Sequence, residues 1–283
     1  MEKRIMGNDL FKQQLYLVDR IPTHPMSSRD IEYLVFGVGS VRGIALVHAY
    51  FELIKRFPDL HLKGVAGISA GALMCVLVWL KLREEEVKEL TNEKLLRDLI
   101  RGLELKKSCG KWSILSMEPL REMVGKAMTS RNVPLSFTFA DLTDLDLRVF
   151  AVDIKENKLI EFSQRLTPSA SVLESVLASC SMPLVFPPIP YAAGCLVDGA
   201  VIEQFPFRAF PTEHTLGFYL YDKYRNNKEE QFFQNLTEQE KDHIISIDVS
   251  KVGSLEMNPT SAQRNWLKEQ AKRALQTYFT TSS

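Results

Sequence analysis

The sequence predicts an α/β fold, a mainly parallel central sheet covered by helices in three α/β/α layers, on three observations. Short apolar runs at 31–36 and 62–67 read as strands, and each leads into a glycine-containing turn. Each turn opens a segment of helical character, 44–57 and 70–82. Strand–helix–strand–helix in close succession is the pattern of parallel strands joined by crossover helices.

Residues 31–36 (IEYLVF) are apolar and β-rich, which suits a buried strand. Ile44, Val47, Tyr50, Phe51 and Ile54 recur at helical spacing. Segment 70–82 is apolar on nearly all sides, so its helix belongs inside. Residues 64–80 carry no charge over seventeen positions, near the lower limit for a membrane span. Gly64, Gly67, Ser69 and Gly71 crowd the first half, so a strand, a sharp turn and a buried helix explain it better.

Beyond residue 83 the character changes. Segment 83–107 is charge-dense around Val87, Leu90, Leu95, Leu99 and Leu103, and predicts one or two amphipathic helices. Ser116 is placed to cap a helix through Leu120, Met123, Val124 and Ala127, with Pro119 in its first turn. Strands are expected at 147–153, 159–162, 195–197, 216–220 and 244–249, and helices at 171–181 and 262–279. Pro187, Pro188 and Pro190 predict an extended turn. The expected organisation is one domain over 1–283, with a core over about 30–250, a cap or lid at 83–130 and a C-terminal helix at 260–280.

Composition narrows the function. Apolar residues make up 45% and charged residues 25%, ordinary for a soluble globular protein. Lys+Arg (35) equals Asp+Glu (35). Zero net charge argues against a partner bound by long-range attraction to nucleic-acid phosphates. Cys75, Cys109, Cys180 and Cys195 form no CxxC pair, and no two histidines stand at ligand spacing. A metal site is therefore not expected. The opening MEKRIMGNDLFKQQ lacks a signal-peptide apolar region. The expectation is a reducing, cytoplasmic setting, which makes the acceptor pattern Asn235-Leu236-Thr237 accidental.

Gly67-Ile68-Ser69-Ala70-Gly71 fits G-x-S-x-G, a pattern that about one chain in ten of this length contains by chance. Its place between a strand and a buried helix is what a nucleophile elbow requires. In so tight a turn the serine is strained, and side chains two residues away on either side would collide, hence Gly67 and Gly71. The alternative is a packing turn. Serine needs a base. Asp198-Gly199 ends a short apolar strand, where the glycine leaves the carboxylate uncrowded; the alternative is an Asp-Gly β-turn. The loop from Gly37 to Gly43 also opens a helix, so its amides suit an anion. It lacks dinucleotide spacing, since Arg42 stands three residues after Gly39, and it lacks the Lys-Ser/Thr of a Walker loop. A phosphate loop and an oxyanion hole, with Arg42 as a positive handle, are both open readings.

Together these pieces resemble the patatin-like phospholipases. That family carries G-G-G-x-[KR]-G, then G-x-S-x-G, then D-G-[AG]. Val38, Gly39, Ser40, Val41, Arg42 and Gly43 match the first; 67–71 match the second; Asp198, Gly199 and Ala200 match the third. Segments 178–188 (ASCSMPLVFPP) and 197–206 (VDGAVIEQFP) resemble the stretches around the third motif. The resemblance implies a patatin-like three-layer fold and a serine lipid acyl hydrolase of phospholipase A or lysophospholipase type. The substrate would be a phospholipid or another acyl-lipid, met by peripheral contact with membranes. Ser69 would be the nucleophile, and Asp198 would take its proton with no histidine between them, forming an acyl-enzyme. Gly39 and Ser40 amides, with Arg42 beside them, would hold the oxyanion. No cofactor is implied.

Val38 and Ser40 depart from the family's glycines. If position 40 has positive φ, a serine there costs about 1–2 kcal/mol, and a hole that loses one donor loses about 10²–10³ in rate. Two rival readings stand beside the dyad. One is a Ser-His-Asp esterase using His243 or His214. The other is a weak or inactive lipid- or partner-binding module. The final helix, with Trp266, Leu267, Lys268, Lys272 and Arg273, reads either as packed on the sheet or as lying on a membrane surface.

Overall fold

Apolar runs too short for helices become the buried centre of one sheet in the computed structural model, which describes residues 22–91, 98, 106–108, 110–223 and 235–280. The strands are β1 (Tyr33–Phe36), β2 (Gly64–Gly67), β3 (Lys106–Ser108), β4 (Lys111–Ser113), β5 (Asp146–Asp153), β6 (Lys158–Phe162), β7 (Ile189–Tyr191), β8 (Gly194–Asp198), β9 (Thr215–Tyr221) and β10 (Ile244–Asp248). The helices are α1 (Ile44–Arg56), α2 (Ala70–Trp79), α3 (Glu84–Leu90), α4 (Glu118–Thr129), α5 (Val172–Ser179), α6 (Glu238–Asp242) and α7 (Ser261–Thr280).

The main sheet runs β10-β9-β1-β2-β5-β8-β7, with β6 also on β5. β10, β9, β1, β2 and β5 are parallel; β6, β8 and β7 join antiparallel. β3 and β4 form a separate two-stranded ladder. The result is the expected mixed, mostly parallel α/β/α arrangement. Alternation along each strand divides its side chains between two cores. Leu34, Phe36, Val149 and Phe218 pack with α1, α2, α5 and α7 on one face. Val35, Ala66, Phe150 and Tyr219 pack with Phe205, Phe207, Phe210 and Leu236 on the other.

Several details differ from the sequence expectations. The proline-rich turn contains β7, an edge strand, where a residue without an N–H is tolerated. The end of the expected amphipathic segment, 106–108, is strand β3 instead of helix; 92–97 and 99–105 lie outside the described residues. Cys75 and Cys180 are free and buried, but Cys195 is disulfide-bonded, which a reducing setting does not favour. Thr237 serves as the N-cap of α6, accepting from the Glu240 amide. α7 buries Leu267, Ala271, Leu275, Tyr278 and Phe279 against α1 and β10. Its apolar face is thus used in the core, while Lys268, Lys272 and Arg273 stay exposed. Among the described residues, no helix is long and apolar enough to cross a membrane.

Candidate active site

β5 carries two partners along one edge. Val149 pairs with Gly67 on one side and Phe162 on the other; Ala151 pairs with Asp198 on one side and Ile160 on the other. Because β6 fills one edge, β2 and β8 share the opposite edge, and they run toward each other. Their C-terminal ends meet around Phe150. Ser69 follows one end and Asp198 closes the other.

The turn at Ser69 is as tight as G-x-S-x-G predicts. Ser69 has φ 58° and ψ −121°, a conformation that costs a non-glycine residue about 1–3 kcal/mol and that surrounding structure must hold. A Cβ at Gly67 would lie 2.3 Å from the Gly71 carbonyl oxygen, and one at Gly71 would lie 2.3 Å from the Phe36 oxygen. Only glycine lets β2, the turn and α2 pass this closely. Ser69 is 6% exposed.

Asp198 is 1% exposed. Its Oδ1 accepts from the Ala200 amide at 2.9 Å, and its own amide donates to the Ser181 carbonyl at 2.9 Å. Gly199 is needed here, because a Cβ would stand 2.8 Å from the Phe150 oxygen. Burial raises the Asp198 carboxyl to about 6, against the opposing pull of the Ala200 amide and the Ser69 hydroxyl. Ser69 therefore lies within influence of the carboxyl. Yet Oδ2 is buried and makes no hydrogen bond of normal geometry among the described residues. Ser69 and Asp198 are thus brought to one place by the ends of β2 and β8.

The glycine loop approaches from β1. Ser40 has φ 52°, the glycine-like conformation. Among the described residues, the Gly39 and Ser40 amides have no protein acceptor. Val38 anchors the loop by donating to the Gln204 carbonyl at 3.0 Å, and a Cβ at Gly43 would meet Ala70 Cβ at 2.7 Å, so loop and elbow touch. The Arg42 guanidinium turns inward: it donates to Asp222 at 2.9 Å and approaches the Gly39 carbonyl at 3.5 Å. It does not line the cleft.

Ser40, Val41 and Ser69 open onto a cleft of about 510 Å³. Its walls are largely apolar, with Ile44, Leu73, Leu77, Val87, Met123 and Phe186 among them. α3 and α4 both contribute, and Arg131 ties them by a two-point contact with Glu86 at 2.7 and 3.0 Å. Within 83–130, residues such as Val87, Leu90, Met123 and Ala127 line the cleft.

His214 and His243 are not brought to Ser69. They precede β9 and β10, at the opposite end of the parallel strands from the elbow. Their Nδ1 atoms donate to the Asp30 and Thr212 carbonyls, at 3.3 and 2.7 Å. Instead, His48 on α1 lines the cleft, where burial, aided by Lys268, lowers its pKa. Nothing in its local sequence marks it. Two further residues escaped the sequence reading. Ser179 Oγ accepts from the Ser69 amide at 2.9 Å, and Asp222 holds Arg42. Among the described residues no cluster suits a metal ion.

Comparison with known proteins points to one family. A family model described as patatin-like phospholipase matches residues 34–211. A probable lipid hydrolase, 463L of Invertebrate iridescent virus 6, is 26% identical over 200 residues, covering 68% of each chain. The uncharacterized protein R571 of Acanthamoeba polyphaga mimivirus is 19% identical over 188 residues, 65% of this chain and 63% of that one. The crystal structure of VipD from Legionella pneumophila matches with a TM-score of 0.60 at 15% identity, covering 89% of this chain and 67% of VipD. That likeness shows a shared fold.

Proposed function

Because the chain belongs to the patatin-like phospholipase family, we propose that it is a lipid acyl hydrolase working through Ser69 and Asp198. The family and the viral relative support a lipid hydrolase; the dyad and its chemistry are inferred from the site. The observation that carries the inference is the buried Asp198 Oδ2, which makes no hydrogen bond among the described residues, together with the strained turn at Ser69. A small side-chain rotation gives it the Ser69 hydroxyl proton.

In this reading Ser69 Oγ attacks the ester carbonyl while Asp198 accepts the hydroxyl proton. The oxyanion gains charge where the Gly39 and Ser40 amides await an acceptor, aided by the N-terminus of α2. Collapse breaks the ester C–O bond, and Asp198 returns the proton to the leaving alcohol. Water then attacks the acyl-enzyme, Asp198 takes its proton, and the fatty acid leaves with Ser69 restored. Arg42 positions the loop through Asp222 and the Gly39 carbonyl. A carboxyl near 6 is a far better base than an ordinary aspartate.

The apolar cleft suits an acyl chain. Contact with a lipid surface is supported by Leu184, 75% exposed with φ 70°, between the cleft-lining Met182 and Phe186. An inactive binding module is less well supported, because Ser40 keeps the positive φ that a glycine would adopt. The test is a fluorophosphonate probe with product analysis on phospholipids, lysolipids and triglycerides. Wild type labels and releases fatty acid, and Ser69→Ala does neither; a labelled Ser69→Ala protein overturns the assignment.

A further inference from the structure

We propose that Ser179 is a positioning residue for Ser69, the first member of a brace over 179–181 that holds both halves of the dyad. This rests on the nucleophile assignment above. Ser179 ends α5 and is fully buried. Its Oγ accepts from the Ser69 amide at 2.9 Å. The next residue, Cys180, donates its thiol to the Ser69 carbonyl at 3.3 Å. The one after, Ser181, accepts from the Asp198 amide through its carbonyl at 2.9 Å. Three consecutive residues thus grip the amide and the carbonyl of the nucleophile and the amide of the base.

The physical need is specific. Ser69 leaves β2 in a strained conformation, and its buried amide points away from the ladder, so it requires an acceptor from elsewhere. Ala72 and Leu73 also donate to the Ser69 carbonyl, at 2.9 and 3.3 Å. The carbonyl is therefore secured by α2 itself, whereas the amide donates to Ser179. Removing that hydroxyl frees the elbow to relax and swings Oγ away from Asp198. Misplacement by a fraction of an ångström to 1 Å costs on the order of 10²-fold in rate.

The experiment compares full-length wild type, Ser179→Ala, Ser179→Thr and Ser175→Ala. Ser175 is also buried on α5, but its hydroxyl bonds the Ser171 carbonyl. Fluorophosphonate labelling of Ser69 and turnover of a soluble ester are both corrected for the folded fraction. Ser179→Ala is expected to lower the labelling rate and kcat together, roughly 30-fold to 100-fold, with KM within about twofold. The pH at which the acid limb bends stays unchanged. Ser179→Thr, which keeps the acceptor, recovers most of the rate, and Ser175→Ala matches wild type. The proposal is overturned if Ser179→Ala labels at the wild-type rate, or if Ser175→Ala slows equally. Should Ser179→Ala not fold, Ser179→Cys replaces it: a weak sulfur acceptor is expected to give an intermediate rate, and a wild-type rate overturns the proposal. Wild type that fails to label sinks the nucleophile assignment itself, whereas normal wild-type labelling with unaffected Ser179 variants sinks the brace alone.

Discussion

Gly67 and Asp198 end two strands that meet head-on along one edge of β5, opposite Val149 and Ala151. The encounter sets the spacing of Ser69 and Asp198 by backbone hydrogen bonds, before any contact between the side chains. That spacing depends on the register of three strands.

Burial of Asp198 couples activity to stability. The carboxyl rises from 3.8 to about 6 on folding, so between those values the native state binds a proton that the unfolded chain releases. Stability from this group is present at low pH and falls as pH rises through the window, by about 3 kcal/mol in all. Asp198→Asn removes the loss. In urea titrations its advantage over wild type is expected to grow from near zero at pH 4 to its full size by pH 8, while hydrolysis disappears. An advantage that does not change with pH contradicts the assignment. Wild-type turnover is expected to rise with pH through about 6.

The glycines of the elbow have no room for a methyl group. Gly71→Ala sets a carbon against the Phe36 carbonyl, and Gly67→Ala sets one against Gly71. Backbone cannot yield as a side chain does, so each is expected to cost about 3 kcal/mol or more, above the middle of the overpacking range. Chemical denaturation measures this, with Gly253→Ala, whose Cβ meets nothing closer than 3.6 Å, as the comparison.

Ser40 carries strain that glycine does not. At φ 52° the left-handed conformation costs a serine about 1–2 kcal/mol, partly offset by the extra freedom glycine brings to the unfolded chain. Ser40→Gly is expected to stabilise the protein by about 0.5–1 kcal/mol and to keep or raise kcat. A lower midpoint in urea together with lower kcat shows that the serine side chain serves another purpose.

The Arg42–Asp222 pair joins a side chain 4% exposed to one 16% exposed. Asp222→Ala removes one anionic partner from a buried guanidinium, and breaking such a pair costs about 3–5 kcal/mol. Because the pair is partly open to water, the lower end is expected. Arg42→Met in the same protein recovers part of that stability without restoring kcat, since the Gly39 carbonyl loses its neighbour as well. Full recovery of kcat in the double variant disproves the role of Arg42 in positioning the loop.

Much of this molecule is legible from local chemistry. The apolar run before Gly37 and the uncharged segment from Gly64 become β1, β2 and α2 because short range fixes their periods and turns. Glycine at 67, 71 and 199 follows from backbone crowding that the motifs already encode. β7 is not legible in the sequence because an edge strand tolerates proline, so the local breaker signal misleads. His214 and His243 fit a triad order in the chain, yet they fall at the far end of the strands. Ser179 is one buried serine among several, and only its partner distinguishes it.

Local sequence marks Ser69, Asp198 and the tight turns around them, since those signals depend on neighbours within a few positions. Tertiary structure decided which of those residues meet, which way Arg42 faces, and how far burial shifts Asp198. Those outcomes depend on strand register and on exclusion of water, and both are properties of the assembled sheet.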